Sequence, residues 1–279
     1  MPTVSPAADA AGAATIHAET VIATFFCTGL SATGCDALTI DPIGGEAIPV
    51  HPLSPDLEAS LVSLRDRVLD ENTRINLTAL REPEKCWIGN VLDSLPFVDI
   101  LEKIGNPKTL IDVGTGGGFP LLPLALAMPD AKLTGLDSTT KKIEAIRRIA
   151  KDRNIGNVTL VAARAEDAAR DPAHREKYDV ATARAVADLS VLLEYVSPFV
   201  RVGGHIVLWK SLQAEEEIAQ SVTAQRSLHA HFEFSHRYTL PGDFGERQLL
   251  MFRKGAATPK EYPRPVGVPG KMPLGAPKA

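Results

Sequence analysis

The sequence predicts an α/β protein built on a mostly parallel sheet, and three observations carry that prediction. From Thr109 onward, short apolar runs alternate with segments of helical length. Two further strand-like runs then follow each other directly, with Pro241-Gly242-Asp243 between them. A glycine-rich turn, Gly114 to Gly118, falls where the first strand gives way to a helix. Strand–helix alternation implies parallel strands covered on both faces.

The predicted strands are 109–114, 131–137, 158–163, 178–183 and 205–210, each rich in Val, Ile, Leu or Ala. Helical segments lie near 120–128, 139–153, 187–200 and 213–227. The runs 232–240 and 247–253 form a β-hairpin on one side of the sheet. Upstream, Ser54-Pro55 joins a capping residue to a proline at the first helical position. Leu57, Leu61, Leu64 and Val68 then recur at helical spacing to about Glu71. Residues 83–104 also read as helical. Four regions result: a disordered extension over 1–50, an N-terminal helical part over 51–105, a core over 106–256, and a basic Pro/Gly-rich tail over 257–279 that lacks a core of its own.

Composition narrows the class. Hydrophobic residues make up 44% of the 279, as in an ordinary globular protein, and no apolar run is long enough to cross a bilayer. Cys27, Cys35 and Cys86 are odd in number and far from CxxC spacing, so they read as free thiols of a reducing cytoplasm, with neither disulfides nor a metal site. The apolar stretch Val21–Leu30 is no secretory signal, because Met1 to Val50 contains no Lys or Arg. The net charge of -4 is unevenly spread. Five acids and no base occupy 1–50, and the tail from Arg253 carries six bases against one acid.

The chemistry concentrates in Ile111-Asp112-Val113-Gly114-Thr115-Gly116-Gly117-Gly118-Phe119-Pro120. Glycines in such a turn let a ligand approach the backbone. The order is acid-x-Gly-x-Gly-x-Gly. A dinucleotide fingerprint would need glycine where Phe119 stands, and a phosphate-binding Walker loop would need Gly-Lys-Ser/Thr, which is missing. Asp137 ends the next strand, where a carboxylate can accept from both ribose hydroxyls of an adenosyl ligand; it also stands where it could cap the following helix. Arg164-Ala165-Glu166 follows the third strand, a position that flanks the adenine ring in this fold. Ligands of open α/β sheets bind at the carboxyl ends of strands, and these signals fall at three successive ends. Together they predict the class I S-adenosylmethionine-dependent methyltransferase fold (Rossmann-like), with a seven-stranded mostly parallel sheet, a terminal antiparallel hairpin and N-terminal helices.

The chain resembles the rRNA small-subunit methyltransferase G (RsmG/GidB) family from about residue 54 to its end. Asn76-Leu77-Thr78-Ala79, Leu92-Asp93-Ser94-Leu95, the glycine turn, Leu136-Asp137-Ser138, Arg164-Ala165-Glu166, Ala183-Arg184-Ala185, Leu208-Trp209-Lys210, Tyr262-Pro263-Arg264 and Lys271-Met272-Pro273-Leu274-Gly275 carry the resemblance. It departs at Gly89-Asn90, Ser211 and Pro265, where the family usually has a basic-His pair, glycine and a second basic residue. The resemblance implies S-adenosyl-L-methionine as cofactor, contacted by Gly114, Phe119, Ala165, Glu166 and Arg184. It also implies N7-methylation of a guanosine in 16S rRNA, free or in the small-subunit particle. Gly116 and Asp137 are added from the turn and the ribose argument. Arg184 and Lys210, at the ends of the fourth and fifth strands, are candidates for the substrate base or phosphate.

Guanine N7 carries a lone pair and no proton, so the reaction demands positioning and no general base, and no catalytic residue is assigned. Two other readings stand beside this one: a small-molecule methyltransferase on the same fold, and a cofactor-binding protein that has lost catalysis. Lys141, Lys142, Arg147 and Arg148 form a basic run that reads as a solvated helix face. His231 and His236, at odd spacing on one strand, should face opposite sides and so not share a metal. Trp87 and Trp209 read as packing residues.

Overall fold

The computed structural model describes residues 48–49, 53–184, 187–212 and 214–276. The chain divides into two units. Met1–Thr39 lies outside the described residues, as do Cys27 and Cys35, and Ile40–Ala279 holds every element below.

The strands are β1 (Ile48–Pro49), β2 (Thr109–Val113), β3 (Lys132–Asp137), β4 (Val158–Ala162), β5 (Tyr178–Ala183), β6 (Val200–Lys210), β7 (Ala230–Leu240) and β8 (Gly245–Lys254). They form one sheet in the order β1-β7-β8-β6-β5-β2-β3-β4. The predicted seven strands are all present, and β1 adds two residues along β7. Only β8 runs antiparallel, inserted between β6 and β7. Neighbours change direction of progression at β2, which pairs β3 on one side and β5 on the other. Such a switch point opens a crevice at the carboxyl ends of the strands.

Helix α1 (Pro55–Asn72) starts as predicted, with Ser54 Oγ accepting the Leu57 N–H at 3.4 Å. It buries Leu61, Leu64 and Val68. Residues 83–104 are not one helix. They break into α2 (Pro83–Cys86), a π turn (Trp87–Val91), a 3-10 turn (Leu92–Ser94) and α3 (Pro96–Asp99). Pro96 lacks an N–H to continue a ladder and begins a new helix instead. The core helices are α4 (Leu121–Ala127), α5 (Thr140–Asp152), α6 (Ala165–Ala168) and α7 (Leu189–Val196). The segment expected as one helix over 213–227 divides at Ser221 into α8 (Ala214–Gln220) and α9 (Val222–Leu228), with Ser221 Oγ bonded back to the Ile218 carbonyl. A short α10 (Val268–Lys271) closes the described chain.

Alternation along the strands makes two cores. Leu110, Val180, Val207 and Met251 face α1, α4, α5 and the broken helical part. Ile111, Ala181, Ile206 and Phe252 face α7 and α9. Burying apolar surface on both faces is what makes these strands near-continuous apolar runs.

One register detail overturns an expectation. The β7–β8 pairing steps from Phe232↔Phe252 to Phe234↔Met251, so Glu233 is an extra, bulged residue. The bulge restores parity, and His231 (opposite Arg253) and His236 (opposite Leu249) lie on the same face, not opposite ones. Four strand positions, about 13 Å, still separate them, too far to share an ion. Among the described residues no group of three or more His, Cys, Asp or Glu is placed to hold a metal, and no helix is long and apolar enough to cross a membrane.

The tail is tied across the α7 side. Arg264 pairs with the buried Glu194 through Nε and Nη2 at 2.6–3.1 Å. Arg175 donates to the carbonyls of Thr258, Pro259 and Tyr262, and the Gly267 N–H donates to Glu166 Oε1 at 2.9 Å. Pro265 is exposed beside this strap. Part of the basic run on α5 is likewise structural: Arg148 and Arg67 both pair with the buried Glu71, joining α1 to α5.

Candidate functional site

The glycine turn follows β2 because its N–H groups are captured by the neighbouring strand. Gly114 and Thr115 donate to the Leu136 carbonyl at 2.8 and 3.0 Å, and Gly116 donates to Asp137 Oδ2 at 3.0 Å. Gly114 and Gly116 take φ of +77° and +57°, which only glycine adopts without strain. The four glycines divide into two jobs. A side-chain carbon at Gly114 would meet nothing within 4 Å, and one at Gly116 only the Gly114 carbonyl at 3.7 Å. At Gly117 it would strike the Leu77 carbonyl at 2.5 Å, and at Gly118 the Leu122 side chain at 2.8 Å. The first pair leaves open space for a ligand; the second lets the Asn76–Ala79 loop and α4 close on the turn.

Two polar atoms beside this turn are buried and unsatisfied. Asp112 Oδ1 accepts from Thr182 Oγ1 at 3.1 Å, whereas Asp112 Oδ2 and Thr115 Oγ1 lie near each other without a well-formed hydrogen bond. Native proteins leave few such atoms, and a cluster of them at a cleft is what a polar ligand would complete. Burial pushes the Asp112 carboxyl up to about 6, opposed by the adjacent Thr115 and Thr182 hydroxyls. The other expected cofactor positions follow the carboxyl ends of the neighbouring strands. Asp137 ends β3, and its Oδ1 also accepts the Thr139 N–H at 2.7 Å, which turns the chain ahead of α5; the cap position itself is Thr139, so Asp137 does not cap that helix. Each carboxylate oxygen keeps a second acceptor site. Ala165 and Glu166 open α6 after β4, with Glu166 buried. Phe119 is buried, and the Arg184 guanidinium lies 5.8 Å from its ring centroid.

Beside the crevice, at the ends of β5 and β6, lies a cleft of about 840 Å³. Arg184, Lys210, Trp209, Tyr238, Asp188 and Glu217 are among its lining residues. Lys210 is no solvated lysine. Its Nζ donates to the Ala187 carbonyl at 2.8 Å and to Glu217 Oε2 at 2.5 Å. Glu217 also accepts the Leu189 N–H at the start of α7. Arg184 pairs with Asp93 and bonds the Asn90 side chain. Trp209 stacks on Phe97 at 6.3 Å and donates to the Asp93 carbonyl, a packing role as expected. Tyr238 donates to Asp93 Oδ1 at 2.6 Å, and burial with the neighbouring Asp93 charge pushes its phenol pKa up, so it stays a donor.

The sequence reading missed the work of Asn90, Asp93 and Glu217. Leu-Asp-Ser marked Asp93 only by resemblance, and nothing local marks Glu217, seven residues past Lys210 across a strand–helix junction. The departures separate: Asn90 is buried against Arg184, and Ser211 lines the cleft.

An eight-stranded sheet that is parallel except for one inserted strand, a glycine turn at its switch point and buried polar atoms beside it define a class I S-adenosylmethionine-dependent methyltransferase. The family model described as rRNA small subunit methyltransferase G (GidB) matches residues 57–240. The chain is 40% identical over 214 residues to a Ribosomal RNA small subunit methyltransferase G of Alkaliphilus metalliredigens, covering 77% of this chain and 89% of that one. It is 38% identical to the protein of the same name from Desulfitobacterium hafniense, covering 75% and 86%. This chain belongs to the rRNA small subunit methyltransferase G family. Among solved structures, the O-methyltransferase from Bacillus cereus in complex with SAH aligns at 17% identity and a TM-score of 0.48, covering 69% of this chain and 91% of that chain.

Proposed function

We propose that this protein transfers a methyl group from S-adenosyl-L-methionine to N7 of one guanosine in 16S rRNA, acting in the cytoplasm on the free rRNA or the small-subunit particle. The observation that carries the reading is the pairing of an open glycine crevice, with Asp112 Oδ2 and Thr115 Oγ1 unsatisfied, to an adjoining cleft large enough for a flipped nucleotide.

The residues present fit the cofactor. Gly114 and Gly116 leave its space, Asp112 and Thr115 offer acceptor and hydroxyl to its polar end, and Asp137 offers the ribose acceptor. Ala165 and Glu166 border the adenine, and Phe119 with Arg184 forms the wall toward the second cleft. When bound, the cofactor supplies an electrophilic methyl: the N7 lone pair forms the new N–C bond, the C–S bond breaks, and its electron pair stays on sulfur. No proton is released from N7, so none of these side chains serves as a base. Their work is alignment of the reacting atoms, which can supply most of the acceleration. Lys210 has one N–H left after Ala187 and Glu217, suited to guanine O6. Asn90, which replaces the usual histidine, supplies an oxygen to Arg184 at 2.9 Å, so the departure there keeps Arg184 in place.

The test is transfer of labelled methyl to small subunits and to naked 16S rRNA from cells lacking this modification, with the product mapped. One N7-methylguanosine is expected. Labelling of a metabolite with none in RNA would replace this reading by the small-molecule one.

A further inference from the structure

We propose that Asp93 and Asn90 are positioning residues that clamp Arg184 at the junction of crevice and cleft, so that one edge of its guanidinium is held by the protein and the other is presented to the ligands. The inference rests on the methyltransferase reading above and deepens it. Arg184 stands at the tip of β5 with its side chain 19% exposed. Its Nη1 donates to Asp93 Oδ2 at 3.1 Å and to the carbonyls of Gly89 and Asn90 at 3.4 Å each. Its Nη2 donates to Asn90 Oδ1 at 2.9 Å. Among the described residues nothing accepts from Nε–H. A guanidinium has five donors in a rigid fork. Here the protein takes Nη1 and one hydrogen of Nη2 and leaves Nε–H and the second Nη2 hydrogen, while the guanidinium carbon lies 5.8 Å from the Phe119 ring centroid.

The clamp is itself built to resist movement. Asp93 is buried and held from three directions: Tyr238 Oη on Oδ1, Arg184 on Oδ2, and Trp209 Nε1 on its backbone carbonyl. Asn90 is anchored by its Nδ2, which donates to Thr78 Oγ1 at 2.8 Å. Thr78 lies in the loop whose neighbour Leu77 packs on Gly117 of the glycine turn. The N-terminal helical part therefore fixes one arginine relative to both sites, and a purely structural ion pair would not need to leave two of the five donors unpartnered beside a cleft.

The experiment is a kinetic double-mutant cycle on the full chain, with small subunits lacking the modification as substrate. Wild-type turnover is established first; its absence would strike the function reading and not the clamp. Arg184→Ala should lower kcat about 100-fold, the scale of losing alignment in a positioning mechanism. Asp93→Asn should lower kcat by roughly 10- to 100-fold with KM for the particle within about twofold. The double variant should be no slower than Arg184→Ala alone, because Asp93 acts only through Arg184. Tyr238→Phe, which leaves the acceptor of Arg184 in place, should cost less than about fivefold. Multiplicative losses in the double variant, or near-wild-type kcat in Asp93→Asn, would overturn the proposal. Should Asp93→Asn not fold, Asn90→Leu takes its place in the cycle, with the same requirement of non-additivity.

Discussion

The crevice and the cleft are neighbours that share Arg184, yet they handle polarity in opposite ways. The crevice leaves its chemistry incomplete: Asp112 Oδ2 and Thr115 Oγ1 are buried without a well-formed hydrogen bond, and Gly114 and Gly116 leave open space at the adjoining turn. The cleft is balanced in charge. Its charged lining residues are three cations, Arg184, Lys210 and Arg247, and three anions, Asp93, Asp188 and Glu217, with two ion pairs already formed. An incomplete site gains most from a ligand that brings its own charges and donors. A balanced one suits an uncharged heterocycle, since a phosphate there would have to compete with carboxylates for the same cations. The difference teaches that the two ligands are distinguished by where the protein withholds hydrogen bonds as much as by where it supplies them.

The strongest way to break the comparison is Gly116→Arg. The side chain would fill the open crevice, and the left-handed backbone adds strain of about 1–2 kcal/mol. Loss of measurable cofactor affinity by calorimetry is expected, with the fold retained by circular dichroism; undiminished binding would mean that the crevice lies elsewhere.

Asp112→Asn comes next. The folded carboxyl titrates at about 6, above its ordinary 3.8, so its contribution to stability is present below pH 4 and lost as pH rises through 6. The cofactor-free variant should therefore be more stable than wild type at pH 7.5, by on the order of 1–3 kcal/mol in denaturant titrations. In wild type, cofactor affinity should climb between pH 5 and 7 as the carboxylate forms, and the variant should be flat over that range. A wild-type affinity independent of pH would show that Oδ2 is not used.

Lys210→Met tests the cleft without touching the crevice. Cofactor affinity should stay within about twofold, while methyl transfer to RNA falls by about tenfold, the scale of one charge-assisted hydrogen bond. Equal loss of both would merge the two sites into one.

The smallest effect is expected from Glu217→Gln, which removes the anion facing Lys210 and leaves the cation uncompensated. Wild type should bind guanosine and guanosine monophosphate about equally; the variant should favour the monophosphate by about three- to fivefold, a preference that fades with salt. No preference in either protein would remove the charge-balance argument.

What was legible in the sequence was local. Strands β2 to β5 lie within a residue or two of their predicted spans because short apolar runs bounded by turns mark them, buried on both faces in β2 and β5 and half-exposed in the edge strand β4. The glycine turn announced itself because close approach to a backbone admits few residues. Gly114, Gly116 and Asp137 come together, with the Gly116 N–H on Asp137, because neighbouring strand ends lie side by side at a switch point. The rest was hidden by distance along the chain or by single insertions. Arg184 meets Asn90 and Asp93 more than ninety residues away. Glu233 shifts a register that alternation alone would have continued. The breaks in 83–104 come from Pro96 and a π turn inside a pattern whose hydrophobicity is helical throughout. The mixed use of Gly114 to Gly118, two residues for a ligand and two for packing, could not be read from five similar letters.

The strap from Arg264 to Gly267 has a consequence for how the protein comes into being. Glu166, beside the proposed adenine position, receives its hydrogen bond from Gly267, a hundred and one positions later. All eight strands can thus emerge from the translating ribosome and pair before that acceptor is satisfied. On the cofactor placement proposed above, full grip on its nucleoside end requires the docked tail, and a nascent or proteolytically clipped chain should be sheet-complete yet poorly charged with methyl donor.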